Sequence, residues 1–215
     1  MRPALSLMIV SQPGDETLFG GHLLAHHDRW KIISLTGGDN LKKVAEFRKA
    51  MRYWNIDDAE IWDHPHVDYV QDSDDEACNP DPIDNLAYCR DILAPAQLRL
   101  FNVLEGDQYI NVVTHGPRGE IGDLYRMAVF LLVEEVLFHR IETGQCPTCD
   151  EPAEVLYSFG KNETARIPSS SYIGKIEALS QYSRPDIWKI TSGLLPYVSN
   201  EFCKQHFDNL GQFES

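Results

Sequence analysis

The sequence predicts an α/β fold: a Rossmann-like, doubly wound, mostly parallel sheet of about five or more strands with helices on both faces. Three observations predict it. Short apolar runs alternate with amphipathic helical segments along the first 160 residues, the order that builds parallel sheets from βαβ units. The runs are apolar nearly throughout rather than alternating, as strands covered on both faces must be. Finally, two of them end in tight polar loops that lead into helices, Ser11-Gln12-Pro13-Gly14-Asp15-Glu16 and Gly119-Glu120-Ile121-Gly122-Asp123. Loops of that kind, at the carboxyl ends of neighbouring strands, are where open α/β sheets place ligands.

Taken in order, Ala4 to Val10 is a buried strand, stopped by Ser11 and Pro13. Thr17 to His27 follows as a helix with Leu18, Phe19, Leu23 and Leu24 on its apolar face. Gly20-Gly21 weakens that helix by about 1 kcal/mol per glycine and therefore points to close packing. Trp30 to Leu35 is the second strand, ended by Thr36-Gly37-Gly38-Asp39-Asn40. Asp39 is the expected cap of the next helix, Leu41 to Trp54, in which Val44, Phe47, Met51 and Trp54 recur at helical spacing. Ala59 to Trp62 is a short strand running into His64-Pro65-His66, expected as a solvated loop. An acidic loop rich in Asp, Asn and Pro comes next. Asn85 to Leu104 reads as one helix broken near Pro95. Tyr109 to Val113 is a strand, Leu124 to Ile141 the longest apolar helix, and Val155 to Phe159 another strand. Tyr172 to Tyr182 is helical. The stretch 162–215 is expected to pack as a cap or edge of a single domain spanning 1–215, since no linker interrupts the chain.

Composition narrows the function. The chain has 215 residues, 43% of them hydrophobic, and a formal charge of −14. That charge and the lack of any basic stripe exclude nucleic acid as a partner. No run reaches the roughly 20 apolar residues that span a bilayer, and the N-terminus lacks a signal-peptide pattern. A cytoplasmic protein with no membrane partner is expected. Five cysteines, odd in number and scattered, do not form a disulfide framework. Cys146-Pro147-Thr148-Cys149 has metal-knuckle spacing, but a structural zinc site needs four ligands and no second pair lies nearby. His22 and His26 share a helix face without the glutamate of a metalloprotease. No Gly-x-Ser-x-Gly elbow and no Gly-x-Gly-x-x-Gly turn are present.

The two polar loops resemble the signatures of the LmbE/PIG-L family of zinc-dependent de-N-acetylases. Gln12-Pro13-Gly14-Asp15-Glu16 is similar to that family's His-Pro-Asp-Asp-Glu after the first strand, and Gly20-Gly21 follows as it does there. Thr36-Gly37-Gly38-Asp39 is similar to Thr-Asn-Gly-Asp. Thr114-His115-Gly116-Pro117-Arg118-Gly119-Glu120-Ile121-Gly122-Asp123-Leu124-Tyr125-Arg126 aligns with the family's second signature. Lys175 to Tyr182 resembles its Lys-x-x-Ala-Leu-x-x-Tyr helix, and Lys43 and Glu46 stand at a common Arg-x-x-Glu pair. The resemblance implies a pocket for an N-acetylated sugar formed by Gln12, Asp15, Glu16, Asp39, His115, Glu120, Asp123 and Arg126.

Position by position, the resemblance also implies that the chemistry is gone. The family's zinc ligands fall on Gln12, Asp15 and Arg126, its general base on Gly14, and its second-motif histidine on Asp123. Gln is a weak neutral ligand, arginine stays protonated, and Gly14 has no side chain. An anion at Asp123 would oppose a developing oxyanion, and that residue stands where a helix N-cap belongs. Arg126 then lies in the first helical turn, where the helix dipole disfavours a cation, so it should pair with Asp15 or Glu16. Three readings are open: a catalytically impaired relative with no metal cofactor; an active zinc hydrolase with a rearranged site of Asp15, His115 and Asp123; and a partner-binding protein using its C-terminal aromatics. Glu120 either ties its own loop or faces the pocket.

Overall fold

A computed structural model describes residues 5–26, 29–66, 82–106, 109–142, 155–159, 165–166, 169–183, 200–201 and 203–205. Their elements run β1 (Leu5–Val10), α1 (Asp15–His26), β2 (Trp30–Thr36), α2 (Leu41–Tyr53), β3 (Asp58–His64), α3 (Pro82–Gly106), β4 (Tyr109–Thr114), α4 (Leu124–Glu142), β5 (Val155–Phe159), β6 (Ala165–Arg166), α5 (Ser169–Leu179), β7 (Asn200–Glu201) and β8 (Cys203–Gln205). Strands β3-β2-β1-β4-β5 pair in parallel, and β8 adds to β5 antiparallel. β6 and β7 form a separate antiparallel pair. The chain winds outward from β1 to β3, then returns to place β4 on the other side of β1. The order reverses between β1 and β4, and open α/β sheets place ligands at the carboxyl ends of the strands at such a switch point.

Alternating side chains of the central strands feed two cores. Leu7, Ile9, Ile33, Leu35 and Val112 face α3 and α4, where Leu93, Leu100, Val129 and Val133 are wholly buried. Met8, Val10, Ile32 and Val113 belong to the core of the other face, with Leu18, Phe19, Phe47, Met51 and Leu179 of α1, α2 and α5. Burying each such side chain stabilises the fold by about 1.5–3 kcal/mol, which is why the apolar runs carry so clear a strand signal. Close packing at Gly20 is also present: a Cβ there would lie 2.5 Å from the Met8 methyl.

Three local expectations change. The helix at Pro95 is not broken; α3 continues through it. Leu93, Ala96, Leu100 and Leu104 are buried on one stripe spanning the proline, and this packing holds the two halves in line despite one lost backbone hydrogen bond. Asp39 does not cap α2. Asn40 does, its side chain accepting from the Lys42 and Lys43 amides at 3.0 and 3.2 Å, while Asp39 is exposed. His64-Pro65-His66 is only partly solvated, with Pro65 exposed and both histidines half-buried. His64 ends β3, the His66 ring packs 4.9 Å from that of Tyr125, and the Tyr125 hydroxyl donates to the Pro65 carbonyl at 2.7 Å. A loop lying over the first turn of α4 gains aromatic contact that the sequence does not display.

Candidate functional site

β1 delivers the first polar loop to the switch point, and its neighbours pin it. The Thr36 amide and hydroxyl both donate to the Ser11 carbonyl, at 3.1 and 2.8 Å, and the Thr114 hydroxyl donates to that of Ile9 at 2.9 Å. Gly14 turns the chain into α1 with φ of 101°, a left-handed conformation that side chains other than glycine's resist. Asp15 and Glu16 open the helix, where the dipole favours anions. On the β4 side, Asp123 accepts the Arg126 amide at 3.0 Å as the N-cap of α4. Gly122, with φ of 80°, allows the turn before it.

The two loops meet through Asp15 and Arg126. Arg126 Nε and Nη2 donate to the two oxygens of Asp15 at 3.2 and 3.0 Å, a bidentate pair, and its Nη1 lies 3.4 Å from Asp123 Oδ2. The Phe19 ring centroid is 5.0 Å from the guanidinium carbon. Asp15 is fully buried and Arg126 nearly so. Burial works against the arginine's charge, but attraction to Asp15, then Asp123, outweighs it and raises its pKa further. The first-turn cation thus has the partner that its unfavourable place on the dipole demands.

Ser11 and His115 complete the junction. The Ser11 hydroxyl donates to Asp15 Oδ2 at 2.7 Å, and its amide donates to His115 Nε2 at 2.9 Å. A backbone amide can only donate, so Nε2 carries the lone pair and Nδ1 the proton, which goes to Glu120 Oε2. Glu120 Oε1 accepts the Gly116 amide at 2.8 Å, so this carboxylate ties its own loop.

A divalent metal does not fit these donors. The Nε2 lone pair of His115 is taken by Ser11, and the nearest acceptor positions of Asp15 and Asp123 are filled by the guanidinium and a cap bond. Within the alternative set of Asp15, His115 and Asp123, His115 Nε2 lies 3.5 Å from Asp15 Oδ2, and the Arg126 guanidinium bridges Asp15 and Asp123. Among the described residues no group of three His, Cys, Asp or Glu is arranged to hold a metal.

Glu16 turns the other way. Gly14 amide, Thr17 hydroxyl and Tyr182 hydroxyl donate to it at 2.9, 2.8 and 2.7 Å, and Trp54 Nε1 donates to Thr17 at 3.1 Å. Burial raises its pKa, and the three donors offset only part of that. Sequence reasoning did not identify Ser11, Thr17, Trp54 or Tyr182; only the Tyr182 motif gave a signal. Gln12 is buried beside the junction. Elsewhere, Lys43 leans over Gly37 and does not pair with Glu46, which takes Lys42 at 4.0 Å and the Ser183 hydroxyl instead. His22 is half-buried on α1, and the side chain of His26 lies outside the described residues, as do Cys146, Cys149 and the aromatics Trp188, Tyr197, Phe202, Phe207 and Phe213.

No known sequence family and no curated protein matches the chain. Solved structures match its fold. A deacetylase from the teicoplanin biosynthesis pathway superposes with a TM-score of 0.64 at 11% identity, over 95% of this chain and 100% of that one. The conserved protein TT1542 from Thermus thermophilus gives 0.59 at 16% identity, over 95% of each chain. GalB, the 4-carboxy-2-hydroxymuconate hydratase of Pseudomonas putida, gives 0.55 at 14%, over 98% of this chain and 100% of that one. The chain therefore has a deacetylase-like, Rossmann-like α/β fold. No helix among the described residues is long and apolar enough to cross a membrane.

Proposed function

We propose that this protein is a metal-independent, non-hydrolytic relative of LmbE/PIG-L-type deacetylases that binds a small N-acetylated sugar at the carboxyl edge of β1, β2 and β4. The observation that carries this reading is the bidentate Arg126–Asp15 pair, which puts a permanent cation where the resemblance implies zinc. Two further features support it. His115 spends its free lone pair on the Ser11 amide, and Gly14 takes a φ of 101° that an aspartate base would adopt only under strain. The fold does not decide the chemistry, since one protein of this fold is a hydratase and another a deacetylase. Ligand binding is drawn from the place of the site at the switch point between β1 and β4.

The test is metal content and acetate release. Purified protein should carry less than stoichiometric zinc and release no acetate from N-acetylglucosamine conjugates, while those conjugates raise its melting temperature. Stoichiometric zinc that is lost in Asp15→Ala, or acetate release by the wild type, would overturn the reading. A melting temperature indifferent to every N-acetylated sugar would favour a partner-binding role instead.

A further inference from the structure

The surroundings of Arg126 have a shape as well as a charge. Asp15 meets the Nε–Nη2 edge of the guanidinium through both oxygens, at 3.2 and 3.0 Å. Asp123 Oδ2 approaches a second edge at 3.4 Å, and the Phe19 ring lies under the central carbon at 5.0 Å. A carboxylate that receives a two-pronged donor, together with an aromatic surface, matches a flat, weakly hydrated cation. A divalent ion asks for the opposite: several lone pairs converging on one point, in return for the water it gives up. The imidazole that could supply such a lone pair is turned to the Ser11 amide at 2.9 Å.

We infer that Asp15, Asp123 and Phe19 form a slot selective for a planar guanidinium-type cation over a divalent metal, and that Arg126 fills this slot from within the chain. The inference rests on the metal-independent reading above and deepens it: zinc is excluded by the slot as well as by the arginine occupying it. Removing Arg126 therefore leaves a binding site for free guanidinium rather than an open zinc centre.

Arg126→Ala tests it, with melting temperature followed against guanidinium chloride, sodium chloride and zinc chloride at low millimolar concentration. The variant should melt well below the wild type and regain several degrees with guanidinium, saturably, while sodium has no such effect and zinc a smaller one. The wild type should not respond to guanidinium, because its slot is full, and the double variant Asp15→Asn/Arg126→Ala should lose the response. Stronger stabilisation of Arg126→Ala by zinc, or no saturable guanidinium effect, would overturn the slot. Should Arg126→Ala not fold, Arg126→Lys decides: it keeps the charge without the plane, so wild-type stability there would overturn the inference and a clear loss would support it. Zinc or acetate release in the wild type speaks to the proposed function, whereas these variants speak to the slot, so the two can fail separately.

Discussion

Asp15 and Glu16 are adjacent, begin the same helix and are both fully buried, yet they are stabilised in opposite ways. Asp15 faces α4 and meets a guanidinium bidentately; Glu16 faces the turn just after α5 and meets only neutral donors, from Tyr182, Thr17 and Gly14. Consecutive residues in a helix lie about 100° apart, so the two side chains point to different elements. The comparison teaches that burial alone does not fix the state of a carboxylate; the partner supplied by a distant segment does. Asp15 has a charged partner, whereas Glu16 has hydroxyls and an amide alone, and burial holds its proton more firmly.

The largest effect should come from breaking the charged side. Arg126→Met leaves Asp15 buried without its cation and should cost about 3–5 kcal/mol in urea unfolding, while the double variant Asp15→Asn/Arg126→Met should recover a substantial part. Simple additivity of the two single variants would show that the pair is not coupled. On the neutral side, Tyr182→Phe removes one of three donors to Glu16 and should cost about 1–3 kcal/mol. A change of a few tenths would show that α5 docks independently of that bond.

The two sides should also differ in pH dependence. The folded-state pKa of Glu16 is raised, so its contribution is fully present below the ordinary glutamate value and is lost as pH rises through the raised value. Stability measured from pH 4 upward should show that decline in the wild type, and Glu16→Gln should flatten it. An unchanged profile in Glu16→Gln would mean that another group governs the slope. The smallest effect belongs to Asp123→Asn, which keeps the capping oxygen and weakens only an ion pair whose carboxylate is 30% exposed. A loss below about 1 kcal/mol is expected, and a loss as large as that of Arg126→Met would make Asp123 an equal partner of Asp15.

The fold was largely legible because each layer repeats a simple period. Leu7 and Ile9 against Met8 and Val10 divide β1 between two cores, and such runs have few ways to be buried. The site was legible where polar residues stand at strand ends: Asp15, Glu16, His115, Glu120, Asp123 and Arg126 all lie at or beside the junction. Asp39 was misread as a cap because either Asp or Asn can fill that role, and the one-residue difference is set by where α2 starts. Pro95 was misread as a break because local chemistry opposes a helix there, whereas burial of Leu93, Ala96, Leu100 and Leu104 along one stripe outweighs it.

By itself, then, the sequence determined the layered α/β architecture, the switch point and the first-turn arginine that requires an anion, since all of these follow from periodicity, turn chemistry and the helix dipole. Only the tertiary structure decided which anion answers Arg126, which nitrogen of His115 holds the proton and that Tyr182 reaches Glu16. Those contacts join residues 111, 104 and 166 positions apart. No local rule relates such distant groups; they meet because packing of the two faces brings β1, α4 and α5 to one end of the sheet.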